Sequence, residues 1–179
     1  GNFDRARRQA YFYNTESKLF RGAIRAGCMA LAFSERDAAR ERSVAGVKAL
    51  GARAMRRELV EVARELRPHA ALFFHVDLLD GETLEAVRAE GAPGCRTARI
   101  CVDSLTHHPD PIESFRRHLA HVDAGFITTG DAAALAAAFP GPTPVRYLPA
   151  AVDPSIETAR LFETPRDALD WDAIFLGTG

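Results

Sequence analysis

The sequence predicts an α/β protein built on a doubly wound, parallel, Rossmann-like sheet, and three observations carry that prediction. Short apolar runs of strand length alternate with longer segments whose apolar residues recur at helical spacing. Several of the runs end in polar tips, His75-Val76-Asp77 and Asp103-Ser104 among them, as buried strands do where they hand over to a loop. The connections between runs are mostly long enough for a helix, which successive parallel strands need and hairpins do not.

The elements come in order along the chain. Gly1-Asn2-Phe3 has the character of a loop leaving a strand, so the first strand of the sheet is expected to be missing. Asn14 is a good N-cap, Glu16 suits the positive end of a helix dipole, and Leu19, Phe20, Ala23 and Ile24 form one apolar face that Gly27 ends. Cys28 to Phe33 is an apolar run of strand length, followed by Ser34-Glu35-Arg36-Asp37 as a charged loop. Val44, Val47, Leu50, Ala54, Leu59, Val62 and Leu66 predict a long helix that contains Gly46 and Gly51 and is closed by Pro68.

Ala70 to Val76 is the next buried strand, and Asp80 caps a short helix carrying Leu84 and Val87. Thr97 to Val102 is the central strand. Ile112, Phe115, Leu119 and Val122 mark a helical face, Ala124 to Thr128 a strand, the alanine-rich stretch to Phe139 a helix, and Val145 to Leu148 another strand. Residues 151–170 form an irregular polar connection. Trp171 to Leu176 predicts one further strand, running into Gly177-Thr178-Gly179, for five or six strands in all.

Composition narrows the function classes. Lys and Arg number 23 against 24 Asp and Glu, a net charge of -1, and the two signs are interspersed, so no nucleic-acid footprint or polybasic membrane face is expected. No apolar run approaches the roughly 18 residues of a membrane span, and the N-terminus has no signal-peptide pattern. Cys28, Cys95 and Cys101 lack metal-ligand spacing, and Cys28 and Cys101 fall on apolar runs, which points to reduced thiols in a cytoplasmic protein. Arginine supplies nearly all the positive charge, Lys18 and Lys48 being the only lysines, a balance typical of GC-rich bacterial genomes.

Neither G-x-G-x-x-G nor G-x-x-x-x-G-K-[ST] occurs, which removes the main support for NAD-type and P-loop chemistry. Gly177 and Gly179 follow a predicted strand, where backbone N–H groups could cradle a diphosphate; a plain turn is the alternative. The densest candidate for chemistry is Asp103 with Ser104, Thr106, His107 and His108, because in open parallel sheets ligands sit beyond the carboxyl ends of the strands. His107 there is either a general base or part of a solvated loop; adjacent histidines point apart and no second ligand set is present, so no metal is expected. His75, Asp77 and Asp103 end consecutive strands and either line one crevice or cap the helices and loops behind them. Asn14, Thr15 and Glu16 are helix-start residues with the capacity to meet a sugar hydroxyl, and Tyr11, Phe12 and Tyr13 are core or stacking residues. His118 and His121, three apart, read as a solvated helix face without a role.

Taken together, GNF, NTESKLFRGAIRAG, SERD, ALFFHVD, ICVDSL and VRYLPAAVDPSIE resemble the N-terminal half of CgeB-like glycosyltransferases of GT-B architecture. The resemblance implies two Rossmann-like domains facing a cleft, the first shaping the acceptor side and the second binding a nucleotide-sugar donor. It makes residues 1–150 the acceptor-side domain, 151–170 the interdomain connection, and 171–179 the truncated start of the donor domain with Gly177 and Gly179 at the donor phosphates. Gly1 and Asn2 become the loop after the missing strand, and His75, Asp77 and Asp103 face the cleft. Asp103 or His107 is then the base or acceptor-orienting group, with Asn2, Asn14, Glu16, His75 and Asp77 on the substrate side. No cofactor is called for, and a chain without the donor half is expected to be poorly active alone. This sequence carries Ile100, Cys101 and Val102 where family members often have an aromatic and a polar residue. The rival expectations are a non-catalytic Rossmann-like domain binding a ligand or partner chain, with self-association open, and a flavodoxin-like nucleotide enzyme.

Overall fold

A computed structural model describes residues 14–43, 46–105, 109–155 and 163–168. Among the described residues three helices come first: α1 (Thr15–Arg25), α2 (Glu35–Glu41) and α3 (Lys48–Leu66). Strands and helices then alternate as β1 (Ala70–Phe74), α4 (Gly81–Glu90), β2 (Arg96–Cys101), α5 (Pro109–Leu119), β3 (Ala124–Ile127), α6 (Ala132–Ala138) and β4 (Val145–Tyr147), with a 3-10 turn at Arg166–Ala168. The four strands lie in the order β1-β2-β3-β4, every pair parallel, with Ala70 opposite Arg96, Ala98 opposite Ala124 and Gly125 opposite Val145. This is an α/β, Rossmann-like fold: an all-parallel sheet flanked by helices, in keeping with the doubly wound form.

The caps explain the helix boundaries. Asn14 Oδ1 accepts from Ser17 N at 2.8 Å, Asp80 Oδ1 accepts from the amide and hydroxyl of Thr83, and Asp131 Oδ1 accepts from Ala133 N and Ala134 N. Helix α3 ends at Arg67, whose φ of 48° turns the chain into Pro68. Helices α2 and α3 meet where α3 carries Gly51: a Cβ there would stand 1.8 Å from the Ala39 carbonyl oxygen.

The central strand β2 is buried from Thr97 to Cys101, on both faces, as a parallel sheet requires. Arg99 lies in register with Gly125 and so shares its face, and the space a Gly125 side chain would fill is taken by Leu119 and Phe115 of α5. Phe115, Met55, Leu84 and Ile127 are fully buried at the centre of the core.

Four expectations are corrected. Cys28 to Phe33 is not a strand: the run has no ladder partner among the described residues, and Cys28, Met29 and Leu31 are exposed. Ser34 to Asp37 is not a loop but the start of α2, because Ser34 is an N-cap whose hydroxyl donates to Asp37 Oδ2 at 2.5 Å and Glu35 and Asp37 suit the first turn. Gly46 stands outside α3, with φ +66°. His118 is buried, not solvated, since it shares the inward face of α5 with Phe115. The expected strand at residues 171–176, the opening loop at Asn2 and the aromatic residues 11–13 lie outside the described residues.

Candidate functional site

The carboxyl ends of β1 and β2 bring together residues that the sequence separates widely. Beyond Phe74 the chain makes a tight three-residue turn: His75 adopts a left-handed φ of 38°, Val76 is buried, and Asp77 N donates to His75 O at 3.2 Å. A non-glycine residue in that region carries backbone strain of roughly 1 kcal/mol, sustained only where its surroundings hold it. The half-buried imidazole lies between two carboxylates, with Nδ1 3.9 Å from Asp103 Oδ2 and Nε2 3.9 Å from Glu16 Oε1. Both separations exceed a hydrogen bond.

Glu16 reaches this position because Asn14 starts α1 beside the strand tips, and its side chain is only 6% exposed. Asp103 follows β2 by two residues, with 23% exposure. Asp77 is more exposed and is held by the Arg36 guanidinium. Beneath Asp77 sits Glu35, 1% exposed, whose Oε1 accepts from Asp77 N at 2.8 Å while Oε2 has no partner among the described residues. Burial pushes the Glu35 carboxyl up to about 7, against the opposing pull of the Asp77 N–H.

Arg99 is buried as well, at 3% exposure. Its Nη1 donates to the Phe73 carbonyl at 3.2 Å and the Ile100 carbonyl at 2.6 Å, its guanidinium stands 5.9 Å from the Phe115 ring centre, and Nε is unpartnered among the described residues. Burial lowers its pKa. The same desolvation carries the neighbouring His118 down to about 4.

Among the sequence candidates, the structure thus gathers Glu16, His75, Asp77 and Asp103, and gives Asn14 a capping role. Asn2, His107, Gly177 and Gly179 lie outside the described residues. Glu35, Arg36 and Arg99 were not singled out by the sequence. The available signals were the S-x-x-D start of a helix at Ser34 and a lone arginine inside an apolar strand, which must find buried partners.

Elsewhere, a shallow groove of about 360 Å³ runs between α3 and α4, lined by Arg56, Arg64, Asp80 and Thr83. Two of its arginines are held in ion pairs, Arg56 with Asp80 and Arg64 with Glu90. The fully buried Asp153 joins the segment after β4 to α1 through Arg21 and Arg25, and accepts from the Ser155 hydroxyl at 2.6 Å. These contacts hold its carboxyl well below the usual range, the Ser155 hydroxyl first and Arg21 next. Among the described residues no three His, Cys, Asp or Glu side chains converge as a metal site would need, and no helix is long and apolar enough to cross a membrane.

Comparisons with protein-family models, curated proteins and solved structures find no match to this chain.

Proposed function

We propose that this chain supplies the acceptor-side domain of a GT-B glycosyltransferase, which moves a sugar from a nucleotide-sugar donor to a hydroxyl acceptor. The observation that carries the reading is His75, placed at a strand tip between Asp103 and Glu16 with neither ring nitrogen hydrogen-bonded among the described residues. In the transfer, His75 takes the proton of the acceptor hydroxyl as its oxygen bonds to the anomeric carbon. The bond from that carbon to the diphosphate oxygen breaks, and the nucleoside diphosphate leaves with the bonding electrons. Asp103 orients the ring, and the two carboxylates stabilise the imidazolium that forms. Catalytic hydrogen bonds commonly shorten only when substrate is bound, so 3.9 Å suits this role. His75 thereby takes the place of Asp103 or His107 as the base, and Asp103 becomes its partner.

The test is sugar transfer by the protein expressed from its full reading frame, with a panel of nucleotide sugars and alcohol acceptors. The reading expects acceptor-dependent release of nucleoside diphosphate, reduced by about 100-fold or more in His75→Ala. It is overturned if no donor and acceptor pair gives transfer, or if His75→Ala retains full turnover.

A second reading is favoured by one observation: among the described residues β1 is an edge strand, and Leu72 on it is 52% exposed. A binding domain that accepts a partner's strand would use that edge. It predicts a stable complex and no nucleotide-sugar turnover.

A further inference from the structure

We propose that Glu35 and Arg99 are positioning residues for His75: a buried carboxyl and a buried guanidinium that grip the backbone on either side of it and hold the turn in which it sits. The catalytic meaning of this brace rests on the transferase reading above; its geometry does not.

His75 sits in a left-handed conformation that other side chains avoid, so something must hold the chain there. Two residues before it, the Phe73 carbonyl is fixed by Arg99 Nη1. Two residues after it, the Asp77 amide is fixed by Glu35 Oε1. Arg99 also holds the Ile100 carbonyl, and thereby ties the end of β1 to the strand that delivers Asp103. Between the two grips, Val76 is 1% exposed and anchors the turn in the core. The brace fixes where the imidazole stands relative to both carboxylates.

Stability alone does not explain these residues. Each keeps one buried polar atom without a partner among the described residues, Glu35 Oε2 and Arg99 Nε, and an unpaired buried polar atom is costly. Apolar groups of similar volume in place of buried charges are often neutral or stabilising. A pair retained only for stability would be poorly chosen, whereas one that holds a strained backbone in register has a reason to be there. The one hydrogen bond that the Glu35 carboxyl makes among the described residues goes to this turn, at Asp77 N.

The experiment uses the full-reading-frame protein as wild type and as Glu35→Leu, Glu35→Gln and Arg99→Met. Thermal unfolding, hydrogen exchange of the Asp77 amide, the His75 ring resonances and sugar transfer are followed in each. For Glu35→Leu the expected result is a Tm at or above the wild-type value, Asp77 amide protection reduced at least tenfold, shifted His75 ring resonances and a kcat at least tenfold lower at unchanged donor KM. Glu35→Gln still offers an acceptor to Asp77 N and is expected to restore protection and kcat to within threefold. Arg99→Met releases the Phe73 carbonyl and is expected to shift the His75 resonances while the sheet stays folded; it carries the same test if Glu35→Leu does not fold. Unchanged Asp77 exchange and His75 resonances in the folded apolar variants overturn the proposal, as does a loss of protection spread evenly over the whole chain. If the wild type transfers no sugar, the transferase reading fails, while the exchange and ring resonances still decide the brace.

Discussion

The two ends of the sheet carry carboxylates of opposite character. At the amino end Asp123, in the turn before β3, accepts from the amide and hydroxyl of Thr97 at 2.8 and 3.1 Å and faces Arg88 and Arg96 at 3.4 Å. At the carboxyl end Glu35 accepts a single backbone N–H and keeps its other oxygen unpartnered among the described residues, while His75 stands 3.9 Å from each of two carboxylates. The hydrogen bond from Thr97 N pulls Asp123 below its ordinary pKa, whereas burial pushes Glu35 above its own. One end joins strands; the other keeps polar groups in reserve at the cost of stability, which is the pattern expected where chemistry is done.

Acid and base should therefore act on the two ends in opposite directions. Glu35 has a folded pKa of about 7 against an ordinary 4.5. Its contribution is fully present below the ordinary value and is lost as pH rises through 7. Glu35→Gln removes that loss, so it should exceed wild type by up to about 3 kcal/mol at roughly pH 8 and by almost nothing at roughly pH 4. Urea unfolding at the two pH values measures the difference; equal stabilities at both would place Glu35 in a solvated setting. Asp123 behaves in reverse, stabilising above roughly pH 4 and losing its effect as pH falls through its depressed folded pKa. Asp123→Ala leaves the Thr97 amide without its acceptor and should cost about 2 kcal/mol at neutral pH, less in acid.

Two smaller effects sharpen the contrast. Gly51→Ala drives a methyl group into the Ala39 carbonyl, and its overpacking exceeds the gain in helix propensity, for a net loss of roughly 1–2 kcal/mol in the unit that carries Glu35. Chemical denaturation shows it directly, and a neutral result would mean that α2 and α3 separate freely. His75→Gly relieves the left-handed backbone and should raise stability by up to about 1 kcal/mol while it removes the proposed base. A stability gain paired with lost turnover is the signature of a strained functional turn; a stability loss would show that the imidazole contributes more to folding than to function.

Much of this architecture was legible because its signals are local. The runs containing Ala70–Phe74, Arg96–Cys101, Ala124–Ile127 and Val145–Tyr147 are apolar and bounded by polar tips, and Asn14 and Asp80 cap as their chemistry demands. Cys28 to Phe33 misled because a strand is defined by its neighbour, and the neighbour is not written in the run itself. The spacing of His118 from His121 suggests a solvated face, but its spacing of three from the buried Phe115 places it inward. Of the site, His75, Asp77 and Asp103 were readable as strand tips. Glu35 was hidden in a helix start with the composition of a loop, and the room for Arg99 exists only because parallel pairing sets it against Gly125.

The measurement that tests the central claim most directly compares sugar transfer per folded molecule in His75→Gln and Asp123→Asn, both in the full-reading-frame protein. The account predicts a loss of kcat of about 100-fold or more in His75→Gln and wild-type turnover in Asp123→Asn, because only the carboxyl end of the sheet meets the acceptor. Equal turnover in the two variants, or a loss confined to Asp123→Asn, would contradict it.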